Sequence, residues 1–101
     1  MPRVKVASLS QLPPGSAIPV HIGEESYAVC NAEGQIHVLY GICPHAGGPL
    51  GEGAIHGTTL VCPWHGWEYD CRTGVCELDD EVKVPKFPVT ISGDDIWIDV
   101  P

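Results

Sequence analysis

"CPHAGGPLGEGAIHGTTLVCPWHGW" (Cys43–Trp67) carries two cysteines and two histidines in two tight pairs, Cys43 with His45 and Cys62 with His65. One residue separates the first pair, two the second, and sixteen lie between His45 and Cys62, giving the pattern C-x-H-x16-C-x2-H. A proline follows each cysteine (Pro44, Pro63), and glycines follow each histidine (Gly47, Gly48, Gly66). This places both pairs on stiff turns, where backbone N–H groups can point inward at a sulfur-rich anion.

The sequence on either side reads as short strands. Ten prolines and twelve glycines are scattered along 101 residues, so no stretch gives a long helix its apolar positions three and four apart. "RVKVA" alternates Val4 and Val6 inward with Arg3 and Lys5 outward, and "SAIPVHI" (Ser16–Ile22) follows a turn at Pro13–Gly15. "SYAVC" and "QIHVLY" flank a loop of hairpin length at Asn31–Gly34. "PVTIS" and "DIWIDV" flank Gly93 and Asp94 in the same manner, with Ile96, Ile98 and Val100 on one face. The expected fold is all-β: one domain, 1–101, forming a small antiparallel barrel or sandwich of at least six short strands. The segment 43–76 is inserted between its outer strands. A chain of this length buries roughly 65% of its unfolded surface, enough for a modest core.

Composition narrows the function. Acidic residues outnumber basic ones 13 to 5, and the net charge of −8 opposes binding to nucleic acid or to an anionic membrane. A basic partner surface fits better, although acidity also serves solubility alone. No window approaches the ~18 apolar residues of a membrane span, and "MPRVKVASLS" has no apolar signal core, so a soluble cytoplasmic protein is expected. Five cysteines are an odd number for a closed disulfide framework, and in a reducing compartment metal binding is the leading use for some of them. Zinc accepts two Cys and two His in tetrahedral geometry, but zinc sites usually open on a C-x2-4-C pair, which this spacing lacks.

The double motif resembles the Rieske iron-sulfur proteins, and the likeness extends from the strands before Cys43 to the last hairpin. It implies that each loop gives one Cys and one His to a [2Fe-2S] cluster. Cys43 and Cys62 would then hold one iron and His45 and His65 the other, with 43–76 as the cluster-binding subdomain of a Rieske-like fold. Thiolates put negative charge on their iron and neutral imidazoles do not, so the His-ligated iron is expected to accept the electron at a raised potential.

Position by position, the resemblance also says what is missing. Cysteines that form a disulfide between the ligand loops in high-potential members would fall at Gly48 and Trp64, and a serine donating to a bridging sulfide would fall at Trp67. Tyr69 matches a tyrosine that donates to a ligand sulfur, or serves simply as a barrel residue. Fewer donors imply a potential in the lower part of the family's range of about −150 to +300 mV. "VPKFPV" (Val84–Val89, with Pro85 and Pro88) resembles the proline loop that covers the cluster, or is a plain turn before the last hairpin.

The remaining cysteines and histidines read as structural. Cys71 and Cys76 flank a hairpin tip and are placed to face each other across two strands, as thiols or as a redox disulfide. Cys30 reads as core packing. His21, His37 and His56 lack companion ligands and read as surface or strand residues. Trp64 either shields the cluster or belongs to a docking surface.

"CPWHGWEYD" looks much like the loop in oxygenase components of ring-hydroxylating systems, but those carry a second domain with a mononuclear iron, for which 101 residues leave no room. No nucleotide-binding glycine fingerprint is present. The resemblance therefore implies an electron-transfer protein rather than an enzyme, similar to ferredoxins that pass electrons from a flavin-dependent reductase to a terminal oxygenase. It would dock briefly through the tip around His45, Gly47, Pro49, Trp64 and His65. The small subunit of an assimilatory nitrite reductase is the alternative of similar size, and a structural zinc module is the third reading. Many such small subunits lack the ligands that are all present here.

Replacing His65 with Cys is expected to lower the midpoint potential of a protein that retains its cluster, because a thiolate adds negative charge to the iron that takes the electron. An unchanged potential in that variant, read by redox titration, would show that His65 is no ligand.

Overall fold

The computed structural model describes residues 3–43, 47–64, 66–77, 79 and 81–99. His45, His65 and Val100, which carried expectations above, lie outside these residues. Ten strands run in chain order: β1 (Arg3–Ser8), β2 (Ser16–Ile22), β3 (Glu25–Ala32), β4 (Gln35–Tyr40), β5 (Ala54–His56), β6 (Thr59–Val61), β7 (Glu68–Asp70), β8 (Lys86–Phe87), β9 (Val89–Ser92) and β10 (Asp95–Asp99). Two single turns of 3-10 helix, Leu9–Gln11 and Leu50–Glu52, complete the regular structure among the described residues. No helix among them is long and apolar enough to cross a membrane.

The strands form three antiparallel sheets, ordered β1-β10-β9, β2-β3-β4-β8 and β5-β6-β7. The second sheet is the middle layer, and its sequence shows why. In β3, every residue from Tyr27 to Ala32 is buried, because alternate side chains enter two different cores. Tyr27 and Val29, with Val38 of β4, pack against Val6, Ile96 and Ile98 of the first sheet. Ala28, Cys30 and Ala32, with Leu39, face the other way, into a core shared with Leu50, Leu60, Tyr69 and four further cysteines. The all-β sandwich expected from the strand pattern is thus present, with the inserted segment forming its own small sheet on the far side of the middle layer.

The terminal strands follow the alternation read from sequence. Arg3 and Lys5 are exposed, Val6 is buried, and Ile96 and Ile98 enter the core. A shift in register between Lys5 and Ala7 lets Val6 and Ala7 both be buried, as a bulge permits.

The β3–β4 hairpin is tighter than expected. Asn31 and Ala32 belong to β3, leaving Glu33 and Gly34 as a two-residue turn with φ of 55° and 90°. Positive φ at both central positions is the turn whose twist suits a hairpin. Asn31 is the physical reason for the difference. Its buried amide donates to the Leu12 carbonyl (2.8 Å), and its Oδ1 accepts from the Gly34 N–H (2.9 Å), so a polar residue that reads as loop is fixed inside a strand end.

The inserted segment is fastened to the middle sheet at Gly51. A Cβ there would run into the backbone of Pro19 on β2, so only glycine lets the Leu50–Glu52 turn lie against that strand. Leu50, fully buried beside it, anchors the start of the segment, and its N–H donates to the Gly41 carbonyl (2.9 Å).

Candidate metal centre

Two loops with one plan carry the paired motif. In the first, the Cys43 N–H donates to the Gly48 carbonyl (2.8 Å), and in the second the Cys62 N–H donates to the Trp67 carbonyl (2.7 Å). Each bond closes a cysteine onto the residue five positions later. Gly47 and Gly66, each four positions after its cysteine, have φ of 74° and 72°, the left-handed conformation that glycine adopts without strain. The Cys-Pro-x-x-Gly spacing common to both stretches is therefore the sequence of one turn used twice. The first loop is closed at its base by a bridge between Ile42 and Pro49, and the second leads from β6 into β7.

This closure brings the two cysteines together. Cys43 and Cys62 are 0% and 1% exposed, and their side chains lie beside each other. Burial pushes the Cys62 thiol up from its ordinary range, the backbone N–H of Trp64 pulls it down, and the neighbouring Cys43 raises it again. A metal would favour the deprotonated sulfurs, which those donors already face.

Tyr69 of β7 stands behind the pair. Its Oη lies 3.1 Å from Cys43 Sγ, the contact that the resemblance anticipated by position. Burial first, and the bond to Cys43 second, push the phenol well above its ordinary range. The hydroxyl stays protonated, so toward a thiolate it can only donate. Two buried sulfurs on matched loops, met by an O–H and an N–H, fit a sulfur-ligated iron cluster. The imidazole side of the set rests on His45 and His65, outside the described residues.

Comparison with known proteins agrees with this geometry. The model of the Rieske [2Fe-2S] domain matches residues 2–88. The chain belongs to the Rieske [2Fe-2S] family. Its cofactor is accordingly one [2Fe-2S] cluster. The ferredoxin component of the p-cumate 2,3-dioxygenase system of Pseudomonas putida is 30% identical over 92 residues, covering 89% of this chain and 70% of its own. The solved ferredoxin of Sphingomonas yanoikuyae B1 superposes with a TM-score of 0.89 at 26% identity, covering 99% of this chain and all of its own. The 4beta-methylsterol monooxygenase of Methylococcus capsulatus is 28% identical over 86 residues; the match covers 75% of this chain but only 23% of that larger protein. A putative nitrite reductase small subunit from Mycobacterium tuberculosis shares the fold, with a TM-score of 0.84 at 19% identity over 96% of this chain and 93% of its own.

Other residues take places the sequence did not foretell. Cys71 and Cys76 do flank a hairpin tip, but the residue opposite Cys76 is Tyr69, and the Cys71 thiol meets Cys30 instead. The contact with Cys30 lowers the Cys71 thiol and, together with burial, raises that of Cys30, whose own S–H donates to the Ala28 carbonyl (3.8 Å). All three are buried free thiols. The segment between Pro85 and Pro88 forms a short edge strand. Its Lys86 and Phe87 pair with Leu39 and Val38, Pro85 accepts from the Tyr40 N–H (2.8 Å), and the Phe87 ring meets Tyr27 edge-on at 5.1 Å. His37 is a strand residue, as read, but a buried one whose Nε2 has no hydrogen-bond partner among the described residues, and burial lowers its pKa.

Replacing Tyr69 with Phe removes the O–H donor and leaves the ring. The midpoint potential should fall by up to ~60 mV, the one-electron equivalent of about 1.4 kcal/mol of lost stabilisation of the reduced state. Redox titration of the two proteins measures it, and equal potentials would mean that the Tyr69 hydroxyl does not favour the added electron.

Proposed function

We propose that this protein is a one-electron carrier, the ferredoxin component of a multicomponent oxygenase system, working in the cytoplasm between a flavin-dependent reductase and a terminal oxygenase. Cys43 and Cys62 hold one iron of its cluster and His45 and His65 the other, within a cluster-binding subdomain at 43–76 of a single domain spanning 1–101. The bound cluster supplies the reversible one-electron chemistry. The chain's own residues bury the two sulfurs, offer donors to them and present the loop tips to a partner.

The observation that carries this reading is the meeting of Cys43 and Cys62 at the ends of two loops of one design, with Tyr69 donating from behind. It is supported by likeness to ferredoxin components over most of their length, against about a quarter of a sterol monooxygenase. Trp64, 49% exposed, provides an apolar element at the tip of the second loop. The net charge of −8 would draw a basic partner surface into an encounter that is rapid and short-lived.

A nitrite reductase small subunit is the second reading, favoured by the shared fold alone. The two differ in how the protein is held. A carrier purifies by itself from its native cells, is reduced by NADH only when a flavin-dependent ferredoxin reductase is added, and is reoxidised by a terminal oxygenase at a rate that falls as salt rises. Stoichiometric purification with a large reductase, and no reoxidation by any oxygenase component of its source, would replace the carrier with the subunit.

A further inference from the structure

Gly47 and Gly48 stand side by side for different reasons. Gly47 has a left-handed φ of 74°, and a Cβ on it would meet nothing within 4 Å, so the turn itself requires glycine. Gly48 has no such φ, and its backbone would accept alanine. Space would not, because a Cβ there would lie 2.8 Å from Cγ and 3.0 Å from both Cβ and Cδ2 of Trp64. The buried backbone of Gly48, in the first loop, thus carries the indole of the second.

The hydrogen bonds from Cys43 to Gly48 and from Cys62 to Trp67 each lie within one loop and do nothing to hold one loop to the other. The ring of Trp64 crosses that gap. The same residue's backbone N–H faces the Cys62 sulfur and draws its pKa down, so the position of the ring and the aim of that N–H are set by one residue. Its exposure of 49% fits an indole with one side on Gly48 and the other toward solvent.

We propose that Trp64 is a positioning residue, whose indole on Gly48 clasps the two ligand loops together without a covalent link and thereby keeps the cluster seated. The proposal rests on the assignment of Cys43 and Cys62 as ligands. The clasp acts from outside the ligand set. It limits the opening of the loops, and it keeps the Trp64 N–H aimed at Cys62. Losing it should speed escape of the cluster and weaken stabilisation of the reduced state, in the same variants.

The test uses the cluster-loaded protein with Trp64→Ala, Trp64→Phe and Gly48→Ala. It follows the bleaching of visible absorbance in excess iron chelator, together with the midpoint potential and the far-UV dichroism of each protein. Trp64→Ala and Gly48→Ala should lose the cluster about tenfold faster than the parent, with lowered potentials and unchanged dichroism. Trp64→Phe, which keeps a ring on Gly48, should restore both retention and potential most of the way. Gly48→Ala carries the test if Trp64→Ala does not fold, since it displaces the ring without deleting it. Parent-like retention in both Trp64→Ala and Gly48→Ala would overturn the clasp and leave the ligand assignment standing, as would faster loss with an unchanged potential. A parent protein that takes up no iron would overturn the ligand assignment and the clasp with it.

Discussion

Two buried thiols, Cys43 and Cys62, are held out of water side by side where two loops of one plan meet, and the rest of the structure is arranged around that pairing. Burial opposes their charge, so each sulfur needs donors, and in so small a chain the donors must come from the loops and from whatever stands behind them. The Trp64 N–H, facing Cys62 from a Cys-Pro-x-x-Gly turn that the cysteine's own N–H closes on the Trp67 carbonyl, is of the first kind. Tyr69 supplies the second, and it can reach Cys43 only because β7 is held against the middle sheet through the core of Leu39, Leu50 and Leu60.

The middle sheet connects this local requirement to the whole fold. Because β3 is buried on both faces, it serves as the floor of the cluster segment and as one wall of the terminal sandwich. That double use explains the small residues on its site-facing side, Ala28, Cys30 and Ala32. Larger ones would lift the segment off the sheet. Gly51 against Pro19 is the same economy of space at the backbone level.

Much of this was legible in the sequence. Strand alternation gave the terminal sheet, and the spacing of cysteine, proline and glycine marked the two loops that bring Cys43 and Cys62 together, because both depend on short-range spacing. What could not be read depends on contacts between distant residues. Asn31 reads as loop until the Leu12 carbonyl is known to lie beside it. Cys71 reads as facing Cys76 across a hairpin tip, but the thiol it meets is Cys30 on β3. The prolines at 85 and 88 suggest a loop, and the two residues between them are nevertheless long enough to pair with β4. The role of Gly48 was likewise hidden, since the residue that requires it is sixteen positions away.

The central claim is that the cluster is held by sulfur on one side and imidazole on the other, and pulsed electron paramagnetic resonance of the dithionite-reduced protein tests it most directly. The account predicts a rhombic signal that appears only on reduction and carries couplings from two directly bound imidazole nitrogens. A reduced cluster without those couplings, or a silent protein with one zinc per chain, would contradict it.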